Sequence, residues 1–151
     1  MSQYTGSIEM TRTEITERLN RQGHGVLSFG GERPYGVPLS FGYDRSDGRC
    51  IFQLLSAPES TKRACIAASE RVTLAAYEFS HVDSWWSVVV AGRMAAIAPE
   101  SQDAVAAAEV FAEHASVVGL SIFDRALGDL EAEWFELSVD ELHGYRAPGD
   151  G

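Results

Sequence analysis

The 151-residue sequence predicts a mainly β domain with peripheral α-helices, built as an antiparallel barrel. Three observations lead there. Val37, Leu39, Phe41 and Tyr43 alternate onto one face of an extended segment. Further short apolar segments recur along the chain, about six strands in all, and mostly short connections join them. Strands so connected expose sheet edges unless the sheet closes on itself, and a barrel removes those edges.

The elements follow in order. A first helix is expected from about Arg12 to Arg21: Thr11 and Glu14 have capping-box spacing, Ile15 and Leu19 lie one turn apart, and Gly23 suits the stop. Gly25–Phe29 is a short strand, and Gly30–Pro34 is a turn rather than a phosphate loop. Tyr35–Tyr43 is extended, Asp44–Gly48 is a hairpin connection, and Cys50–Leu55 is the returning strand. A helix carrying Lys62 follows, through about Ser69. Val72–Phe79 is the next strand, broken by Ser80–Asp83. Ser84–Ile97 is a long strand in which Gly92 marks a bulge or a close approach. An Ala-rich helix runs from about Asp103 to Val117, with Val105, Ala108, Phe111 and Ala112 as its packing stripe. Gly119–Leu130 carries no assignable pattern, and Glu133–Val139 is the final strand. The whole chain, 1–151, reads as one domain without repeats or linkers, with residues 1–10 and 147–151 as loose termini.

Composition narrows the function classes. The formal net charge is −10, from 22 acidic residues against 12 Lys and Arg. Nucleic acids and anionic membranes both demand clustered cations, so neither is an expected partner. Many acids with almost no lysine is the composition of an acidic protein kept soluble in high salt, which points to a halophilic setting. Cys50 and Cys65 form no metal or redox motif and are expected as buried free thiols. The N-terminal Met1–Ser7 lacks a basic-then-apolar leader pattern, and no apolar run reaches membrane-spanning length, so the expected location is the cytoplasm.

Lys62 is the single lysine of the chain, in Ser56-Ala-Pro-Glu-Ser-Thr-Lys-Arg63, between an apolar strand and a helix start. Helix N–H groups, the hydroxyls of Ser56, Ser60 and Thr61, and the cations of Lys62 and Arg63 together suit a phosphate. A solvated Lys-Arg pair on an exposed helix fits the same residues.

The order of motifs resembles the pyridoxamine 5′-phosphate oxidase-like FMN-binding split-barrel family, and more narrowly its nitroimidazole-resistance-like branch. The motifs are Gly25-Val-Leu, then Pro34-Tyr-Gly-Val-Pro-Leu-Ser-Phe-Gly-Tyr43, a hairpin and apolar strand, Lys62 after a short loop, and Trp86-Ser-Val-Val-Val-Ala-Gly92. They cover roughly residues 10–97. The resemblance implies an FMN-binding split barrel of antiparallel strands, working as a homodimer with cofactor sites at the interface. It implies a flavin-dependent oxidoreductase acting on a small-molecule substrate. It makes Lys62, with Thr61, Arg63 and Ser56, the holder of the FMN phosphate. It lays Val37, Pro38, Leu39 and Ser40 along the isoalloxazine. It lines the ribityl chain and ring with the Phe52–Leu55 strand, hence Gln53, Leu54 and Leu55, and brings Ser87 to the cofactor from a neighbouring strand.

Two departures bear on the substrate. The nitroimidazole-resistance branch commonly carries a His on the strand before the lysine, where this chain has Gln53, which argues against nitro-group reduction. The true oxidases carry an Arg-rich signature near the C-terminus, which Leu142-His-Gly-Tyr-Arg146 matches poorly, so pyridoxamine phosphate is not the expected substrate. The alternatives are a non-catalytic flavin carrier or sensor, a split barrel binding deazaflavin or haem, and a cofactor-free structural dimer. Haem would need an axial His, for which His81 is the candidate.

The remaining residues read as structural. His24, His81, His114 and His143 are widely spaced and show no metal-ligand pattern, so no metal is expected. Trp85 and Trp86 point to opposite faces of a strand, one into the core and the other to the core, the cofactor pocket or the dimer interface. Asp83, Ser84, Ser87 and His81 lack a nucleophile elbow, and no catalytic acid or base stands out.

Overall fold

Capping, alternation and turn chemistry shape the chain much as the sequence suggests. The computed structural model describes residues 6–31, 34–56, 71–114 and 131–149. Its elements are β1 (Ile8–Glu9), α1 (Arg12–Gln22), β2 (His24–Phe29), β3 (Tyr35–Asp44), β4 (Arg49–Ser56), β5 (Arg71–His81), β6 (Ser84–Ala96), α2 (Gln102–His114) and β7 (Glu131–Arg146).

The strands form one sheet in the order β1-β7-β4-β3-β2-β5-β6, and an additional β6–β7 pairing closes it. All neighbouring pairs are antiparallel. Closure depends on the length of β7, whose 16 residues exceed the expected Glu133–Val139. Glu131–Ser138 pairs with β4 on one side, and Phe135–Arg146 pairs with β6 on the other, so the two ladders overlap in the middle of the strand. The side chains that point inward form the core: Leu27, Phe41, Phe52, Leu74, Val90 and Leu137 are fully buried.

Helix α1 packs against β3 and β7 and buries Ile15 and Leu19. It starts at a complete capping box, with Thr11 Oγ1 accepting from Glu14 N–H at 3.2 Å and Glu14 Oε1 accepting from Thr11 N–H at 2.9 Å. It ends on Gly23, held at φ 72°, a left-handed conformation that glycine adopts without strain. The Thr11 backbone bond and then Arg146, 2.8 Å from Glu14 Oε2, hold the Glu14 carboxyl below its ordinary range.

Helix α2 packs on the outside of β3 and β4 through Ala104 and Ala107, against Ile51 and Ile97. The expected stripe is corrected here, since Val105 is 61% exposed. The helix backbone also runs close to β3, where a Cβ on Gly42 would stand 2.8 Å from the Val110 carbonyl oxygen. Phe111 does pack inward, edge-on to Trp134 at 5.1 Å.

Three boundaries also shift. Residues 1–10 are not loose throughout, because Ile8 and Glu9 pair with Arg146 and Tyr145 and Met10 is buried. Ala147 is fully buried and donates its N–H to Trp85 O at 3.0 Å. The break after β5 shrinks to Val82-Asp83, with His81 already paired to Ser84. The expected helix through Ser69, residues 119–130 and the second cysteine, Cys65, lie outside the described residues.

Candidate functional site

The β3–β4 hairpin is laddered only from Asp44↔Arg49 to Phe41↔Phe52. Beyond Phe41 the two strands part. Tyr35–Ser40 of β3 pairs with Phe29–His24 of β2, while Gln53–Ser56 of β4 pairs with Trp134–Glu131 of β7. Each strand therefore turns one edge, with its row of N–H and C=O groups, toward the split. Pro38 fits such a segment, since a proline cannot donate to a second ladder.

Beside this segment lies a groove of about 460 Å³. Val26, Pro38, Leu39, Tyr77 and Phe79 supply its apolar walls, and Gln22, His24 and Glu78 its polar groups. Tyr77 and Phe79 are 64% and 67% exposed, which is unusual for aromatic side chains on a packed sheet. Gln22 Nε2 lies 3.2 Å from His24 Nε2 and donates to Tyr77 O at 3.2 Å, tying the end of α1 to β5. Glu78 Oε1 accepts from Trp86 Nε1 at 3.2 Å. The volume and the few converging polar groups are those of a small-molecule site.

The residues picked from the sequence divide into those the structure gathers and those it separates. Val37 and Leu39 face the core, Ser40 is buried, and Pro38 is exposed and lines the groove. Leu54 is buried inward, and Gln53 is half-buried on the other face, across from Trp134. Leu55 and Ser56 hold their places at the end of β4. Ser87 lies on the outer face of β6, between Tyr77 of β5 and Tyr145 of β7, and β2 and β5 separate it from β3. Thr61, Lys62 and Arg63 lie outside the described residues. His81 holds a turn: its Nδ1 accepts from Asp83 N–H at 3.2 Å. Trp86 is buried with Arg18 over its ring at 5.4 Å, while Trp85 is half-buried on the outer face.

Sequence reasoning missed the aromatic pair of β5 and the groove behind it. The signal was present, since Tyr77 and Phe79 alternate outward from Leu74 and Ala76, which are buried. It also missed Arg49, whose guanidinium gathers Asp44, Asp103 and Glu136 at 2.9–3.0 Å. Cys50 is buried as expected, and burial pushes its thiol up to about 12, which leaves it unreactive. Among the described residues no group of three His, Cys, Asp or Glu could hold a metal, and no helix is long and apolar enough to cross a membrane.

A family model described as pyridoxamine 5′-phosphate oxidase matches residues 11–146, and the chain belongs to that family. The fold is shared with a FAD-binding protein from Mesorhizobium loti, at TM-score 0.73 and 22% identity over 93% of this chain and 98% of that one. It is shared with a candidate 5-nitroimidazole antibiotic resistance protein from Bacteroides thetaiotaomicron, at TM-score 0.65 and 18% identity over 93% and 87%. A heme-binding protein from Mycobacterium smegmatis is also similar, at TM-score 0.63 and 16% identity over 95% of this chain and 57% of that one. No curated protein matches the chain.

Proposed function

We propose that the protein binds FMN at the β3–β4 split of a homodimer and serves as a flavin-dependent oxidoreductase for a small molecule. The observation that carries this reading is the split itself. A flat ring with polar edges needs apolar faces and backbone hydrogen-bonding groups side by side, and the strand edges and adjoining groove supply both. Family membership and the flavin-binding neighbour support it.

The described residues fit the ring better than the phosphate, because the groove lining contains Glu78 and no Lys or Arg. We assign the phosphate to Lys62, Thr61 and Arg63, which follow β4 by a few residues, with Ser56. Val37, Pro38, Leu39 and Ser40 orient the ring edge through their backbone, and Gln53, Leu54 and Leu55 flank it from β4. Ser87 is three strands from β3, so we assign its contact to a second copy of the chain. The exposed Tyr77, Phe79, Val89 and Tyr145, on the adjacent strands β5, β6 and β7, form the surface that copy covers.

Bound FMN supplies hydride exchange between a donor and an acceptor. The chain binds, orients and shields: Val26, Pro38, Tyr77 and Phe79 exclude water, and Gln22 and His24 offer hydrogen bonds to a substrate. The reading places the protein in the cytoplasm.

The test is a visible absorption spectrum after incubation with excess FMN and desalting in high salt. A stoichiometric flavin band supports the proposal, and turnover with a nicotinamide donor then separates an enzyme from a carrier or sensor. A colourless protein refutes it. A haem reading has one observation in its favour, the exposed imidazole of His24 in the groove, and a Soret band after haem incubation would decide for it.

A further inference from the structure

We infer that Gln22 fixes the tautomer of His24 and makes the imidazole of the groove a hydrogen-bond donor through Nδ1–H. The groove then takes a small molecule that presents a carbonyl to it. The carbonyl preference rests on the small-molecule reading above, and the tautomer does not. Gln22 Nε2 is 3.2 Å from Tyr77 O and 3.2 Å from His24 Nε2. A backbone carbonyl only accepts, so the amide presents its NH2 group, and not its oxygen, to Tyr77. That same nitrogen can only donate, so His24 Nε2 is the acceptor of its second hydrogen. In the neutral ring the proton is therefore on Nδ1, because the bond at one ring nitrogen sets the state of the other.

The backbone holds these bonds in place. Gln22 is the last residue of α1, and Gly23 at φ 72° turns the chain into β2. The Gly23 carbonyl accepts from Phe41 N–H at 3.0 Å, which pins the turn to β3. His24 is the cross-strand partner of Ser40, next to Phe41, where the β3–β4 ladder ends. The imidazole is exposed and lines the groove with Pro38, Tyr77 and Phe79. An imidazole free to exchange tautomers meets donors and acceptors alike. One held as Nδ1–H meets an acceptor and leaves a ligand's donor unsatisfied, which is a basis for selection. Apolar walls beside such a donor suit an apolar molecule that carries a carbonyl. Gln22 acts through His24 and is a positioning residue.

The test is nitrogen NMR of the imidazole rings in the flavin-free protein at pH 8, where an ordinary imidazole is neutral. His24→Gln identifies the signal. The expected signature is a protonated Nδ1 and an unprotonated Nε2. Gln22→Glu keeps the side-chain length and replaces the NH2 group by an acceptor, so it should move the proton to Nε2. A protonated Nε2 in wild type, or the same tautomer in wild type and Gln22→Glu, would overturn the proposal. Acetophenone and ethylbenzene then probe the groove, since they differ chiefly in the carbonyl. Acetophenone should shift the His24 and Tyr77 signals saturably and bind about 2- to 10-fold more tightly than ethylbenzene, a margin that His24→Phe should erase. Equal affinities in wild type, or no binding of acetophenone, would overturn the carbonyl preference. Failure of FMN to bind would remove the flavin reading and leave the tautomer measurement standing.

Discussion

Arg49 Nε donates to Asp44 Oδ2 at 3.0 Å across the β3–β4 hairpin, with both side chains nearly dry at 6% and 10% exposure. The same guanidinium reaches Glu136 of β7 at 2.9 Å and Asp103 in the first turn of α2 at 2.9 Å. One cation thus joins the hairpin, the outer helix and the closing strand, just where the β3–β4 ladder is intact and before it splits. Arg49→Met would leave a buried carboxylate uncompensated. The expected loss is about 3–5 kcal/mol, the cost of removing one partner of a buried pair. Urea unfolding measures it, and a loss within error of a surface substitution would mean that the cluster holds nothing together.

The cluster also makes a pH prediction. The hydrogen bond from Arg49 holds the Asp103 carboxyl below its ordinary range. A lowered folded value means stability that is present above the unfolded value of about 3.9 and lost as pH falls through the folded one. Asp103 is half-exposed, so solvent screens the effect. Asp103→Asn should lower the urea midpoint at pH 7, and the gap to wild type should close as pH falls below about 4. An equal gap at pH 7 and pH 3 would assign the effect to packing.

Local signals were legible where one residue sets the backbone. Thr11, Glu14 and Gly23 bound α1 within a residue of the expected ends, and the alternation of Val37, Leu39, Phe41 and Tyr43 gave β3. Long-range facts were not legible. The late part of β7 reads as polar because Asp140, Glu141 and His143 face solvent, yet pairing with β6 keeps it extended to Arg146. Arg49 looks like any hairpin residue until the fold brings Asp103 and Glu136 to it. The split could be suspected from Pro38 but not located, because strand register is a property of the pair.

Gly92 was expected at a bulge, and the β6–β7 register does shift between Ala91 and Gly92. A Cβ there would stand 1.9 Å from the Ser138 carbonyl oxygen and 2.8 Å from Leu137 Cδ2. Gly92→Ala must therefore push two paired strands apart, with an expected cost near the upper end of about 1–3 kcal/mol. Gly48→Ala is the contrast, since it meets nothing within 4 Å and carries only the cost of φ 63°, about 1–2 kcal/mol. Thermal unfolding of both variants should rank Gly92→Ala as the worse, and the reverse order would deny the close approach.

Tyr77 and Phe79 project from β5 with about two thirds of their surface in water. If a second copy covers them, Tyr77→Ser with Phe79→Ser should shift the protein toward monomer in sedimentation equilibrium while its circular dichroism stays unchanged. The same double variant should weaken FMN binding, because a site shared between copies opens when they separate. A wild-type protein that sediments as a monomer at every concentration would remove the dimer from the proposal.

Lys62 decides the cofactor assignment. Among the described residues the groove beside β3 is lined by the acid Glu78 and by no lysine or arginine, and Lys62 follows β4 by six residues. A charge-assisted hydrogen bond contributes about 1.5–3 kcal/mol, so Lys62→Ala should raise the FMN dissociation constant by about 10- to 100-fold. Riboflavin, which lacks the phosphate, should bind the variant and the wild type alike. Flavin fluorescence quenching gives both constants. Equal weakening for FMN and riboflavin would show that Lys62 supports the ring site rather than the phosphate, and unchanged FMN affinity would end its role in the site altogether.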